Sequence, residues 1–190
     1  MYEVELKVKL EDYYSTRENI LKIQPTSTIL YEYFDRYYDL NNTLTSSEQE
    51  LRLRTKTNLL TSQESHFLTF KDSPFDLYSK SKPEFESEII DPIAIDSFLK
   101  KLNYTESLSY KKNCEVFNVV FEDNELEVSL VKIRGLKDSF LEVETLSETL
   151  NNTSNLLKML HRYLTEIKLS ESQICTTYYV DMLKEVREAK

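Results

Sequence analysis

Period-two alternation of charged and apolar residues constrains this chain more than any other feature, and it begins at once. Glu3, Glu5 and Lys7 alternate with Val4 and Leu6, while Tyr2, Val8 and Leu10 continue the apolar set. Successive side chains of an extended strand point to opposite faces, so this spacing puts two carboxylates and an ammonium on one face. A single strand of this kind reads equally well as an edge strand with one wet face. Repetition sets the chain apart. Leu51-Arg52-Leu53-Arg54 opposes two guanidiniums to two leucines, and Phe67-Leu68-Thr69-Phe70-Lys71 is an aromatic run ending in a cation. Pro83-Glu84-Phe85-Glu86-Ser87-Glu88 alternates acids, and Leu141-Glu142-Val143-Glu144 repeats the opening acid pair. On an open sheet such charges face water, where each ion pair contributes about 0–1 kcal/mol. Rolled into a closed barrel, the same faces line a charged lumen while the apolar faces pack outward against helices. Cations in that lumen hold a polyanion, and spare carboxylates hold the divalent metal that accompanies it.

Composition narrows the options in the same direction. The 190 residues (22.5 kDa) suit one domain spanning 1–190, with no linker-like stretch to divide them. Gly135 is the only glycine, which excludes a P-loop or a Rossmann phosphate turn, both of which need glycines for close backbone approach. Any phosphate is therefore held by side chains. A net charge of −9 argues against a nucleic-acid partner, which calls for a basic stripe. The chain shows no signal-peptide pattern at its start and no apolar window long enough for a membrane span, so the expectation is a soluble, cytoplasmic protein that binds no membrane. Cys114 and Cys175 are too few and too isolated for a disulfide framework or a zinc site. His66 and His161 lack partners at metal-ligand spacing, and Asp123, Glu125 and Glu127 read as a solvated hairpin edge.

Helical segments supply the barrel's cover. Ser15 with Glu18 forms a capping-box pattern before Ile20, Leu21 and Ile23, with Pro25 as a stop. Asp91-Pro92 reads as an N-cap followed by proline at the first helical position. Thr153 or Ser154 is expected to cap a third helix carrying Leu156, Leu157, Leu160, Leu164 and Ile167, and a last segment holds Tyr179, Met182, Leu183 and Val186. The order is strand, helix, strands, then helix, strands, helices: two similar halves.

In this order the blocks resemble the CYTH or triphosphate tunnel metalloenzyme family, and within it the class IV adenylate cyclase-like branch. Glu3-x-Glu5-x-Lys7 is similar to the signature strand, and Tyr33-Phe34-Asp35 and Leu51-Arg52-Leu53-Arg54 to the next two blocks. Phe70-Lys71 sits where a tunnel lysine is expected. Lys82-Pro83-Glu84-Phe85-Glu86 resembles an R-P-E-x-E block, Lys112 with Glu115-Val116-Phe117 a K-x-R-E-V-x block, and Gly135-Leu136 with Phe140-Leu141-Glu142-Val143-Glu144 the G-L-x-x-F-x-E-x-E block. Tyr179-Val180-Asp181-Met182-Leu183 is similar to a Y-x-x-L-L tail.

The resemblance implies an α+β fold: a closed eight-stranded antiparallel β-barrel, the triphosphate tunnel, with flanking helices. It implies that Lys7, Arg52, Arg54, Lys71, Lys82 and Lys112 bind a triphosphate, and that Glu3, Glu5, Glu142 and Glu144 hold Mg²⁺ or Mn²⁺. Glu5, Lys71, Lys112 and Glu144 are the residues expected to carry catalysis. The implied reaction is conversion of ATP to cyclic AMP and pyrophosphate; the alternatives are hydrolysis of inorganic tripolyphosphate or thiamine triphosphate, and non-catalytic binding of nucleotide or polyphosphate. Dimers occur in the cyclase-like branch, so a homodimer is a further expectation. The chain departs from the pattern at Cys114, which stands for an arginine, and at Val131, which stands for an aspartate and is expected to put an apolar side chain into a polar lumen. Lys82 replaces an arginine, and the loop before Phe140 is one residue longer than usual.

Overall fold

In a computed structural model, which describes residues 1–75 and 81–188, eight strands close into one antiparallel barrel. The strands are β1 (Tyr2–Leu10), β2 (Ser27–Asp39), β3 (Glu50–Asn58), β4 (Glu64–Lys71), β5 (Lys82–Ile89), β6 (Thr105–Phe121), β7 (Asn124–Ile133) and β8 (Ser139–Ser147). Helices α1 (Tyr13–Lys22), α2 (Thr43–Ser46), α3 (Pro92–Lys101), α4 (Leu150–Glu166) and α5 (Tyr179–Glu188) lie between or after them, with a 3₁₀ turn at Glu171–Gln173. Around the barrel the order is β1-β5-β4-β3-β2-β6-β7-β8. Exchanging β1–β4 with β5–β8 maps this set of neighbours onto itself, so the two halves read from the sequence are related by a pseudo-twofold in the sheet topology.

Alternation decides which side chains go inward. Val4, Leu6, Val8 and Leu10 of β1 join Val128, Leu130, Leu141 and Val143 on the outer face, where Leu156, Met159, Leu160 and Leu164 of α4 cover them. Ile20 of α1 enters the same cluster. α3 covers the opposite wall: Leu99 packs with Leu53 and Tyr38, and the Tyr38 hydroxyl donates to Asp96 (2.6 Å). A register shift at Tyr37/Tyr38 lets β2 follow the curvature there. The seam between β1 and β5 is short, with Tyr2 opposite Pro83 and Glu3 opposite Lys82. Proline, which has no N–H to donate, suits a strand that is paired so briefly on that side.

Two helix starts differ from the sequence reading. α1 is capped by Asp12, whose carboxylate accepts from the Tyr14 and Ser15 amides, so Ser15 lies inside the helix. A carboxylate one turn upstream captured the orphan amides before Ser15 could. α4 begins after Thr149, and the hydroxyl of Thr153 instead donates back to the Leu150 carbonyl within the first turn. The cap expected at Asp91 is present, with its side chain accepting from Ile93 and Ala94. Gly135, with φ of +108°, turns the chain between β7 and β8 and lets Leu183 of α5 pack close against it.

Leu160 is fully buried between α4 and the barrel wall. Leu160→Ala is expected to destabilise the protein by about 3 kcal/mol through lost burial and the cavity left behind, measured by urea denaturation.

Candidate active site

The inward face of the barrel is charged on nearly every strand. Glu3, Glu5 and Lys7 come from β1, Glu142 and Glu144 from β8, Arg52, Arg54 and Lys56 from β3, Lys71 from β4, Lys82, Glu84 and Glu86 from β5, and Lys112 from β6. The register explains the grouping. Glu5 faces Glu144 and Lys7 faces Glu142 across β1 and β8, while Arg52 faces Thr69 and Arg54 faces Phe67 across β3 and β4. Most of these side chains line a cavity of about 850 Å³ whose lining also includes the apolar residues Met1, Phe67, Phe85 and Leu146. A narrower space of about 90 Å³ continues past Glu5, Arg52 and Lys112 to Lys7, Lys82, Tyr178 and Tyr179.

Within this lumen most charges have found partners. Asp35, wholly buried, accepts two hydrogen bonds from Arg54 (2.7 Å each). Burial opposes ionisation of Asp35, but the guanidinium overcomes that penalty and holds its carboxyl well below the usual range. Lys112 pairs with Glu142 (3.0 Å). Burial again opposes the charge, yet the ammonium takes Glu142 down to about 2. Lys71 pairs with Glu3 and lies 3.5 Å from Glu84. Lys82 donates to Glu50 and to the Glu48 carbonyl (2.7 Å each). Lys7 donates to the Thr177 carbonyl (2.6 Å) beneath the ring of Tyr179, 4.3 Å from its ammonium.

Two carboxylates, Glu5 and Glu144, stand outside this pairing and crowd the paired Glu3. Carboxylate oxygens of Glu3, Glu5 and Glu144 lie within 4.8 Å of one another. Burial and then the charge of its neighbours Glu3 and Glu142 push Glu5 up to about 7. Burial, followed by the charges of Glu3, Glu127 and Glu5, pushes Glu144 well above the carboxylate range. Opposite them the buried Arg52 Nε has no hydrogen-bond partner among the described residues, although its Nη2 reaches Thr69 (3.3 Å) and lies 3.8 Å from both Glu84 and Glu86. Lys56 lies 4.1 Å from the Tyr31 ring centre and lines the wide cavity. Crowded carboxylates whose ionised form burial disfavours, sharing a lumen with a guanidinium that has an open donor, fit a divalent metal and an anion respectively.

All the residues expected from the sequence therefore reach one lumen, in separate roles. Glu3, Glu5 and Glu144 converge, whereas Glu142 is drawn aside by Lys112. Lys7 and Lys82 lie at the narrow end against the C-terminal segment. The sequence reading gives Glu127, Lys56 and Asp35 no role in the site. Glu127, taken for a solvated hairpin edge, is opposite Glu144 and lines the cavity. Its alternation with Leu126 and Val128, in phase with Ser129, was the signal available. Lys56 continues the Arg52-x-Arg54 phase, and Asp35 shares the inward phase of Tyr33 and Tyr37. The expectation for Val131 also changes. It faces Cys114 directly across β6 and β7, and the two are buried with Tyr33, Ile133, Phe140 and Tyr179 in an apolar patch at the inner wall, so Val131 is not set against a polar lumen. Burial pushes the Cys114 thiol up to about 12.

A closed antiparallel barrel whose lumen sets converging carboxylates against guanidinium and ammonium groups defines a triphosphate tunnel protein. Residues 1–179 match the CYTH domain family model. A Methanocaldococcus jannaschii protein named as a candidate adenylate cyclase is 25% identical over 183 residues, covering 96% of this chain and 98% of that protein. The PH1819 protein of Pyrococcus horikoshii has the same fold at TM-score 0.84 and 25% identity, over 97% of this chain and 99% of that one. A candidate adenylyl cyclase of Hippeastrum, described as having a dominant triphosphatase activity, shares the fold at TM-score 0.64 and 17% identity, over 97% and 96% of the two chains. The chain belongs to the CYTH family, a metal-dependent triphosphate tunnel family whose members are adenylate cyclase-like or triphosphatase enzymes. No helix among the described residues is long and apolar enough to cross a membrane.

The raised acids give the site a definite pH dependence. Glu5 binds its proton more tightly in the folded chain than at the ordinary 4.5, so the stability this lends is complete below that value and is lost as pH rises through about 7. A divalent cation held by these carboxylates would take the place of those protons. Millimolar Mn²⁺ or Mg²⁺ is therefore expected to raise the melting temperature more at about pH 8 than at about pH 5, measured by differential scanning calorimetry.

Proposed function

We propose that this protein is a divalent-metal-dependent enzyme that binds ATP by its triphosphate and converts it to cyclic AMP and pyrophosphate. The observation that carries the reading is the shape of the lumen. Glu3, Glu5 and Glu144 share with Arg52, Lys71 and Lys112 the lining of one cavity of about 850 Å³ that also carries the apolar residues Met1, Phe67 and Leu146. That volume falls within the ~300–1,000 Å³ range of small-molecule sites, and its apolar end suits a base and sugar rather than a bare phosphate chain.

Glu3, Glu5 and Glu144 would hold Mg²⁺ or Mn²⁺, which would offset phosphate charge and polarise the phosphorus–oxygen bonds. Arg52, with its open Nε donor, and Arg54, fixed by Asp35, hold phosphate oxygens from β3. Lys71 and Lys112 approach from neighbouring walls, each kept in place by an acid that the polyanion's arrival relieves. Glu142 is then a positioning residue for Lys112 rather than a metal ligand. With the triphosphate so clamped, the ribose 3′-hydroxyl attacks the α-phosphorus in line, its proton leaves to solvent or a lumen carboxylate, and pyrophosphate departs. The fixed cations spare the reaction the cost of orienting solvent around the departing charge.

Hydrolysis of the terminal phosphate is the second reading, supported by the apolar Cys114–Val131 pair at positions where the cyclase-like pattern has an arginine and an aspartate. The activity ascribed to the Hippeastrum protein points the same way. Incubating the protein with Mn²⁺ or Mg²⁺ and ATP, thiamine triphosphate or tripolyphosphate, and resolving the products by chromatography, separates the two. Cyclic AMP with pyrophosphate is expected, and Glu5→Gln is expected to reduce its formation by about 100-fold or more. Orthophosphate alone, equally sensitive to Glu5→Gln, would replace the cyclase reading with a triphosphatase.

Because Cys114 and Val131 are cross-strand partners, their replacement has to be considered as one change. Cys114→Arg or Val131→Asp alone buries an uncompensated charge and is expected to destabilise the protein by about 3 kcal/mol. The double variant is expected to recover about 2 kcal/mol of the summed loss in urea denaturation and to raise cyclic AMP turnover. Strictly additive losses with unchanged turnover would show that the two sites do not act as a unit.

A further inference from the structure

β7 sends into the lumen two polar side chains that the reaction proposed above does not use. Glu127 and Ser129 share the inward phase of the strand and line the larger cavity but not the narrower space. Ser129 is 6% exposed, and its hydroxyl makes no hydrogen bond among the described residues. Glu127 is half-buried, with no cation at ion-pair distance and no hydrogen-bond donor among them. It also stands outside the three carboxylates that converge within 4.8 Å. A buried hydroxyl and a carboxylate that the fold leaves without partners are groups that a ligand can satisfy. The register fixes their height in the barrel. Ser129 lies opposite Glu142, the acid that holds Lys112, and Glu127 lies opposite Glu144. The next inward residue of β8 is Leu146, about 7 Å further along the strand, and it too lines the larger cavity only. Passing outward along this wall, the lining changes from an ammonium to a hydroxyl and a carboxylate, and then to an apolar side chain.

Resting on the triphosphate reading above, we propose that Glu127 and Ser129 form a sugar subsite, with Glu127 as the specificity-determining residue. A nucleotide whose phosphates engage Arg52 and Lys112, and whose base lies among the apolar residues, carries its ribose at this height. The vicinal 2′- and 3′-hydroxyls are donors that suit a carboxylate with its lone pairs open, and the Ser129 hydroxyl serves as a donor beside it. The same carboxylate repels a bare phosphate chain that extends outward past Lys112. One side chain thus favours the sugar and disfavours the competitor that lacks it. The substrate class is thereby a ribonucleoside triphosphate, set apart from inorganic tripolyphosphate and from deoxygenated nucleotides by its sugar.

The test measures binding of ATP, 2′,3′-dideoxy-ATP and inorganic tripolyphosphate by calorimetry in Mg²⁺ buffer. The wild-type protein is expected to bind ATP about tenfold or more tightly than its dideoxy counterpart, and Glu127→Ala to reduce that ratio to about two or less. Glu127→Gln, which keeps an acceptor and loses the charge, is expected to bind tripolyphosphate about threefold or more tightly than the wild type does. Equal binding of ATP and dideoxy-ATP by the wild type, an unchanged ratio in a folded Glu127→Ala protein, or unchanged tripolyphosphate binding by Glu127→Gln would overturn the subsite and leave the triphosphate site standing. Failure of all three ligands to bind would overturn the triphosphate reading, and the subsite with it. If the alanine variant does not fold, the wild-type ratio and the glutamine variant decide.

Discussion

A closed barrel cannot hide a charge without answering it, and that constraint organises everything inside this one. Burying an ion costs several kcal/mol unless a partner is close and well aligned. The lumen meets the demand by local pairing: Asp35 with Arg54, Lys112 with Glu142, Lys71 with Glu3, Lys82 with Glu50. What remains unmatched is informative. Among the described residues, neither Glu5 nor Glu144 has a cation at ion-pair distance, and the open donor belongs to Arg52. These groups are segregated, acids on β1 and β8 and a guanidinium on β3, an arrangement that suits the metal-bound polyanion proposed above.

The pseudo-twofold of the sheet makes this polarisation more pointed. Equivalent strands β3 and β7 carry different inward sets: Arg52, Arg54 and Lys56 on one, Glu127, Ser129 and Val131 on the other. Equivalent β4 and β8 oppose Lys71 to Glu142 and Glu144. Only β1 and β5 resemble each other chemically, through Glu3 and Glu5 against Glu84 and Glu86, and the latter pair lies near Arg52 (3.8 Å to each). A symmetric backbone thus supports an asymmetric field, and the asymmetry comes from side-chain choice at matching positions.

Strand alternation made the barrel legible, because a period of two is a property of each strand alone. The charged face of β1 and the acid pair of β8 could be read without knowing their neighbours. Pairing across strands could not. Nothing local to Glu142 distinguishes it from Glu144, yet the register puts Lys112 beside the first and leaves the second with Glu5. Cys114 and Val131 likewise looked like two separate departures until β6 and β7 set them face to face in one apolar patch. An ion pair exchanged whole for apolar side chains is energetically close to neutral, whereas losing one member strands the other. The misread start of α1 has a related cause: Asp12 and Ser15 compete for the same amides, and composition does not reveal which wins.

Lys7 shows how one signature strand can serve both ends of a tunnel. Four residues of extended chain carry it about 13 Å from Glu3, past the waist where the acids converge. There its ammonium meets a backbone carbonyl and an aromatic face instead of a carboxylate. Thr177 and Tyr179 can hold a cation without cancelling its charge. The ammonium therefore remains available as a field source at the closed end while it staples the C-terminal segment in place. The positive charge of Lys7 thus lies beyond the point where Glu3, Glu5 and Glu144 converge, at the end of the lumen that the C-terminal segment lines. The C-terminal segment is held, in this barrel, by the same half-buried charge that faces the lumen.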